Sequence, residues 1–212
     1  MTPRGNVAGV LLAAGQGSRL GQPKAVIVVG GESLARRGIA VLRAGGARPV
    51  VVVTGAAGPG VLGPDDAGAA GEPGLISVHN PGWQSGMGSS LAVGLSAVPA
   101  DSTAAVIALA DQPLVGPDSV RRLIAAHDAG ASVAVACDDG KPRNPVLIAR
   151  EHFAEVAALA AGDIGARPFL RAHQHLVTAV ECGDTGRPDD IDTPADLARL
   201  EQLLASRATF PA

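Results

Sequence analysis

The chain has 212 residues and a formal net charge of −3, and this length fits one α/β domain. Its 47% apolar residues exclude a disordered chain, and no run of about 20 uninterrupted apolar residues could cross a membrane. The absence of a basic excess and the scarcity of aromatic residues disfavour a nucleic-acid partner. The N-terminal residues lack a signal-peptide layout, so we expect the protein in the cytoplasm.

Apolar runs alternate with helical patterns along the chain, which is typical of a parallel sheet covered by helices. In chain order the predicted elements are a strand over Val7–Ala13, a helix over Glu32–Ala44, strands over Pro49–Thr54 and Leu75–Val78, a helix over Ser90–Val98, a strand over Ala104–Ala110, a helix over Asp118–Ala129, strands over Ala131–Ala136 and Pro145–Ala149, helices over Glu151–Ala161 and Gly165–His173, a strand over Leu176–Glu181 and a last helix after Thr193.

Two local signals refine this organisation. The last helix has Thr193 as its N-cap, Pro194 at its first position and Asp196 as the acid of a capping box. The segment Gly55–Gly74, rich in Gly, Ala and Pro, is interpreted as a long connection within one domain because strands resume on both sides of it. In this order of elements, ligands bind outside the carboxyl ends of the strands.

A glycine-rich segment follows the first predicted strand. It contains Gly15, Gly17 and Gly21, with Arg19 and Lys24 within ten residues. Glycines let backbone N–H groups approach phosphate oxygens, and the two cations can neutralise charge that develops on a leaving pyrophosphate. Lys24 is also one of only two lysines in the chain, which favours a specific role for it.

The spacing of this segment excludes two common phosphate-binding motifs. A dinucleotide fingerprint needs a third glycine where Leu20 stands, and a Walker loop needs Gly-Lys-Ser/Thr, whereas Lys24 lies between Pro23 and Ala25. An open loop that binds a triphosphate remains as the interpretation.

This segment resembles the signature of nucleotidyltransferases that activate sugars and cofactors with a nucleoside triphosphate. The segments Asn80–Leu91, Ala110–Leu114 and Gly162–Arg167 resemble the molybdenum-cofactor branch of the MobA-like family, in particular the molybdopterin cytidylyltransferases. The resemblance implies a Rossmann-like three-layer α/β/α sandwich with a mostly parallel sheet, in a single domain over residues 1–212.

Acidic residues supply candidate metal ligands. Asp111 ends a predicted strand, where a carboxylate is placed to hold Mg²⁺ together with substrate phosphates. The resemblance implies a second aspartate near the C-terminal end of the domain, and Asp192 matches best, with Asp190 and Asp189 as competitors. Arg19, Lys24 and Asp111 are the expected catalytic residues.

The resemblance also implies a nucleotide-binding set in the first loop and at the start of the helix after Trp83. These residues are Leu12, Ala13, Ala14, Gly15, Gly17, Ser18, Lys24, Gly86, Ser89 and Ser90. Hydroxyl and N–H groups at a helix N-terminus can hold a ribose, a base edge or a phosphate, although N-capping alone would also explain the two serines.

For the acceptor, the candidates are Asn144, Asp163 and Arg167. Arg167 could bind an acceptor phosphate or pair with Asp163 on the same helix face. Relatives usually show Gly-His-Pro where this chain has Arg143, Asn144 and Pro145, a difference that affects the identity of the acceptor.

The expected activity is Mg²⁺-dependent transfer of a nucleoside monophosphate from a nucleoside triphosphate, with CTP favoured, to a small phosphorylated acceptor of the molybdopterin type. Pyrophosphate would be released, and a molybdoenzyme is a further expected partner.

Two alternative functions stay open. One is an NAD(P)H-dependent oxidoreductase, because Val180–Asp184 is similar to the subgroup labelled nicotine blue oxidoreductase. The other is a binding module that delivers a molybdenum cofactor without turnover.

Overall fold

The structure, a computed structural model, describes residues 5–59 and 74–209. The predicted connection Gly55–Gly74 therefore lies largely outside the described residues. The strands are β1 (Asn6–Ala13), β2 (Val28–Val29), β3 (Glu32–Ser33), β4 (Val50–Thr54), β5 (Leu75–His79), β6 (Ser102–Leu109), β7 (Val133–Asp138), β8 (Lys141–Ala149) and β9 (Val177–Glu181). The α-helices are α1 (Leu34–Ala44), α2 (Met87–Ser96), α3 (Pro117–Asp128), α4 (Phe153–Leu159), α5 (Arg167–Ala172) and α6 (Pro194–Thr209).

In the described part of the chain, a central sheet has the strand order β5-β4-β1-β6-β8-β7-β9, and a small ribbon pairs β2 with β3. All strands of the central sheet are parallel except β8, which is antiparallel to β6 and β7. Its middle strands are apolar runs because both faces are covered, and Val50–Val53 are fully buried. The predicted mostly parallel sheet is confirmed.

Helices cover both faces of the sheet. The first face packs against apolar side chains of α1 and α3, among them Leu42 and Leu123. The second packs against α2, α4 and α5, through residues such as Leu91, Val156 and Phe169. The predicted three-layer α/β/α sandwich is therefore confirmed. No helix within residues 5–59 and 74–209 is long and apolar enough to span a membrane.

The direction of β8 follows from a tight turn. Asp139 and Gly140, with φ of 49° and 72°, join β7 to β8 as a two-residue hairpin loop in the left-handed region. Lys141 consequently pairs with Asp138 at the carboxyl end of β7. The hairpin brings residues 141–144 to the same edge of the sheet as the loops after β1 and β6.

Several helix boundaries differ from the predictions. The helix predicted from Glu32 begins at Leu34, because Glu32–Ser33 pair with β2 and the Ser33 hydroxyl caps the helix by accepting from the Arg36 amide at 3.2 Å. The helix predicted from Ser90 begins at Met87. For α6 the capping box is confirmed: Asp196 accepts from the Thr193 amide at 2.8 Å, and the Thr193 hydroxyl accepts from the Asp196 amide at 3.3 Å.

Candidate active site

A cavity of about 560 Å³ opens at the carboxyl ends of β1 and β6. Its walls are the loop after β1, the end of β6 and the start of α2. Most of the predicted site residues line it: Leu12, Ala13, Ala14, Gly15, Gly17, Ser18, Arg19, Lys24, Gly86, Ser90, Asp111, Asp163 and Asp192. The sequence predictions missed the lining residues Gln16, Ala25, Trp83, Gln84, Met87, Leu109 and Ala110.

The glycine-rich loop turns back on itself at the cavity. Gly17 has φ of 61°, and a Cβ atom there would lie 2.2 Å from the Gln22 carbonyl oxygen, so this position requires glycine. The Lys24 amide donates to the Gly15 carbonyl at 3.2 Å, which closes the loop. Within the described residues, the backbone amides of Gly15, Gln16 and Gly17 donate no hydrogen bond to another backbone group. These amides are available to an anion in the cavity.

Lys24 joins two acidic side chains that are distant in the sequence. Its ammonium nitrogen lies 2.7 Å from Asp111 Oδ2 and 2.5 Å from Asp192 Oδ1. A guanidinium nitrogen of Arg19 lies 3.3 Å from Asp192 Oδ2. Burial lowers the pKa of Lys24, but the two carboxylates outweigh it and the pKa lies above its ordinary value. The Lys24 hydrogen bond lowers the pKa of Asp192, against an opposing effect of burial.

The competing aspartates have other partners. Asp190 accepts from the Gln112 amide at 2.8 Å, and Asp189 accepts from the Arg187 guanidinium at 2.8 Å. Burial raises the pKa of Asp190, and the nearby charges of Asp111 and Asp192 act in the same direction. Neither Asp189 nor Asp190 lines the cavity. The structure thus brings Asp192, of the three candidates, to Asp111 and Lys24.

The carboxylates of Asp111 and Asp192 converge on one cation, which is the arrangement that a divalent metal needs. No group of three or more potential protein ligands occurs in the described ranges. Mg²⁺ typically takes one or two carboxylates and completes its shell with water and substrate phosphates. This pair therefore fits a metal that enters together with a phosphate ligand.

Asn80, which the sequence predictions did not select, organises the start of α2. It is 3% exposed, and its amide nitrogen donates to the hydroxyls of Ser89 at 2.8 Å and Ser90 at 3.0 Å. Its carbonyl oxygen accepts from the Gly82 amide at 2.9 Å. Ser90 lines the cavity, whereas Ser89 does not and its hydroxyl also donates to the Gly86 carbonyl. Ser89 is therefore placed as a structural partner of the loop.

Two glycines let a second loop approach the start of α2. Gly86 has φ of 108°, and a Cβ atom there would lie 2.4 Å from the backbone of Gly162. At Gly88 a Cβ atom would lie 2.7 Å from the backbone of Ala160. This close packing positions Asp163, whose carboxylate accepts from the Met87 amide at 3.3 Å.

The three predicted acceptor residues do not come together. Asp163 lines the main cavity, but Asn144 lines a separate cleft of about 20 Å³ beside the β7–β8 hairpin, together with Arg143. Arg167 is exposed at the start of α5 and lines neither of these spaces. No ion pair joins Arg167 to Asp163 in the part of the chain that the structure describes. The pairing considered for these two residues is therefore not present.

Comparison with known proteins defines the class. A family model described as the MobA-like NTP transferase domain matches residues 9–177. The chain belongs to this family of nucleotidyltransferases, as its sequence motifs predict.

Individual relatives carry different names. The chain is 38% identical to a nicotine blue oxidoreductase of Paenarthrobacter nicotinovorans over 92% of this chain and 96% of that protein. It is 49% identical to a probable molybdenum cofactor guanylyltransferase of Opitutus terrae, over 22% of this chain and 23% of that protein. Among solved structures, Rv0371c of Mycobacterium tuberculosis is 28% identical with a TM-score of 0.72, covering 94% of this chain and 99% of that one. Its manganese complex gives 26% identity and a TM-score of 0.67 over 93% and 98% of the two chains.

Proposed function

We propose that the protein transfers a nucleoside monophosphate from a nucleoside triphosphate to a small phosphorylated acceptor and releases pyrophosphate. One observation carries the proposal: a single cavity combines loop amides that have no acceptor among the described residues, the cations of Arg19 and Lys24, and the carboxylates of Asp111 and Asp192. Amides and cations bind phosphate oxygens, and the carboxylate pair provides a metal position that fits such a substrate.

The chemistry needs no nucleophile from the protein. An oxygen of the acceptor phosphate attacks the α-phosphorus, and the bond from that phosphorus to the pyrophosphate oxygen breaks. The loop amides orient the triphosphate, while Lys24 and Arg19 stabilise the charge that develops on the leaving pyrophosphate. Asp111 and Asp192 would hold Mg²⁺, which supplies charge neutralisation of the bound phosphates. A manganese complex of a relative supports the use of a divalent metal.

For the substrates, we propose CTP and a molybdopterin-type acceptor, with a molybdoenzyme receiving the product. Support comes from the molybdenum-cofactor motifs of the chain and from the short match to a probable molybdenum cofactor guanylyltransferase. Of the three acceptor candidates, Asp163 is the one that lines the main cavity. Arg143 and Asn144, in the neighbouring cleft, add a cation and an amide to the same edge of the sheet.

The test is pyrophosphate release by the purified protein with each of the four ribonucleoside triphosphates, Mg²⁺ and molybdopterin. We expect release that is fastest with CTP and that depends on both metal and acceptor. Lys24→Ala should lower the rate on the order of 100-fold while the fold stays intact, because a preorganised cation is lost. Lys141→Ala, which changes an exposed lysine on β8, is the matched control. Pyrophosphate release by Lys24→Ala at the wild-type rate contradicts the proposal.

A second candidate function is NAD(P)H-dependent oxidoreduction. It is favoured by the 38% identity to a protein named nicotine blue oxidoreductase over nearly the full length of both chains. The glycine spacing of a dinucleotide fingerprint is absent from the first loop, which weighs against it. Stabilisation against heat by Mg²⁺ with CTP, compared with that by NADPH, separates the two functions.

A further inference from the structure

The two acidic side chains of the cavity already hold a cation that belongs to the chain. The Lys24 ammonium contacts one oxygen of Asp111 and one of Asp192, and the Lys24 side chain is only 16% exposed. Arg19 lies beside the other oxygen of Asp192. Both oxygens of Asp192 and one of Asp111 therefore have a cationic partner from the protein.

A divalent metal needs these same oxygens. Mg²⁺ binds carboxylate oxygens at about 2.1 Å, which is closer than an ammonium nitrogen approaches them. The two carboxylates converge on the position of the Lys24 ammonium, so a metal held by both would take that position, and the like charges of metal and ammonium repel each other. The metal must therefore displace Lys24 from at least one carboxylate. A largely buried ammonium that loses its partner is costly, so Lys24 needs another anion when it moves.

A triphosphate supplies that anion. It enters the same cavity, next to the loop that carries Lys24, and its oxygens can accept from the flexible ammonium. We propose that Lys24 is the resident counter-ion of Asp111 and Asp192 and couples metal binding to triphosphate binding. The triphosphate part of this inference rests on the proposed function. The competition between Lys24 and the metal rests only on the contacts of this chain.

The first test measures Mn²⁺ binding by calorimetry in the absence of any nucleotide. It compares the wild type with Lys24→Met, which keeps an unbranched side chain without the charge, and with Lys141→Met as the matched control. We expect Lys24→Met to bind Mn²⁺ about tenfold more tightly than the wild type, within the usual range of coupling between sites. Lys141→Met should match the wild type. An unchanged or weaker Mn²⁺ affinity in folded Lys24→Met overturns the inference.

A second test uses the wild-type protein and stays valid if Lys24→Met does not fold. Lysine labelled with ¹³C at Cε gives two NMR signals because the chain has two lysines, and Lys141→Met assigns them. We expect millimolar Mg²⁺ alone to leave the Lys24 signal nearly unchanged, and Mg²⁺ with inorganic tripolyphosphate to shift it. A full shift with Mg²⁺ alone overturns the coupling to triphosphate, and no shift when Mg²⁺ and tripolyphosphate have both bound overturns the displacement of Lys24.

Neither test measures turnover, so the proposed function and the competition between Lys24 and the metal can fail separately. Tighter Mn²⁺ binding by Lys24→Met in a protein that releases no pyrophosphate would keep the competition and remove the proposed function. Normal pyrophosphate release by the wild type, together with an Mn²⁺ affinity that Lys24→Met leaves unchanged, would keep the proposed function and remove the competition.

Discussion

Asp192 has more cationic partners than Asp111 does. Lys24 contacts one of its oxygens and Arg19 the other, whereas Asp111 has Lys24 as its cationic partner. Asp192 is also the more exposed of the two, with 40% of its side chain accessible against 23% for Asp111. The two carboxylates therefore have different environments, and Asp192 is the more accessible to solvent.

The first prediction concerns the choice between neighbouring aspartates. Asp192→Asn should weaken Mg²⁺-dependent triphosphate binding about tenfold or more, because a carboxylate at the metal position is lost. Asp190→Asn should leave it unchanged, since Asp190 instead accepts from Gln112. Calorimetric titration of Mg²⁺–CTP into each variant measures both. If Asp190→Asn weakens binding and Asp192→Asn does not, the assigned ligand is wrong by two residues.

The types of residue in the sequence were enough to predict part of the candidate active site. The glycines, Lys24 and Asp111 were identified because their chemistry is unusual at those positions in the sequence. Asn80 was missed because an asparagine before Pro-Gly has the composition of an ordinary turn. Its function depends on two serine hydroxyls and a backbone amide meeting at one buried point, and that geometry exists only when α2 has packed.

At the scale of elements, the β7–β8 hairpin and the segment after β9 line the small cleft that contains Asn144. Arg122 of α3 donates to both carboxylate oxygens of Asp184, at 2.6 and 2.7 Å, and fixes the loop after β9. Glu181, at the end of β9, accepts from the Gly183 amide at 3.0 Å and from the Gly140 amide of the hairpin turn at 3.4 Å. This carboxylate links two neighbouring loops beside the cleft that contains Asn144.

The second prediction is a pH dependence that arises from this link. The Gly183 amide is the largest cause that lowers the pKa of Glu181, with burial opposing it, so the folded state favours the charged form. Its contribution to stability is present above the ordinary glutamate pKa of 4.5 and is lost as pH falls through the lowered folded-state pKa. Glu181→Gln should therefore lower the thermal midpoint near neutral pH and leave it unchanged in acid.

Thermal unfolding followed by circular dichroism at a series of pH values measures this difference. Glu201→Gln, which changes an exposed glutamate on α6, provides the control. A difference between Glu181→Gln and the wild type that stays constant down to pH 3 would show that the charge of Glu181 is not the cause.

The predicted strands of the central sheet and the predicted α-helices agree with the structure in type and order, but their ends differ and the small β2–β3 ribbon was not predicted. The apolar run Pro145–Ala149 indicates a strand without giving its direction. The turn at Asp139 and Gly140 sets that direction, and this signal was not used in the sequence interpretation. The true start of α2 depends on contacts of Gly86 and Gly88 with the distant segment 160–162, which no local pattern contains.

The whole molecule brings together charges that are far apart in the chain. Lys24 is 87 residues from Asp111 and 168 from Asp192. Parallel pairing of β1 with β6 explains the first proximity, since it aligns the loops after both strands. The second depends on the Ile191 amide donating to the Asp111 carbonyl at 2.8 Å. This bond lies in an irregular segment, so the sequence left Asp189, Asp190 and Asp192 as alternatives.

The last prediction uses the stability of the whole domain to decide between the two enzyme classes. Mg²⁺ with CTP should raise the thermal midpoint more than NADPH does, because the loop amides, Lys24 and Arg19 can bind three linked phosphates. A ligand at about 100 times its dissociation constant adds about 2.7 kcal/mol to the folded state. For a domain of this length, the expected rise is about 5 to 10 °C.

Chelation identifies the source of that stabilisation. EDTA should remove most of the rise with CTP, because the metal joins the phosphates to Asp111 and Asp192. The two phosphates of NADPH can occupy part of the same loop, so a small rise with NADPH is compatible with a transferase. A large, EDTA-resistant rise with NADPH and none with any triphosphate would instead favour the oxidoreductase. In that case the carboxylate pair would serve to hold Lys24 in place, and Lys24→Met should lower NADPH binding.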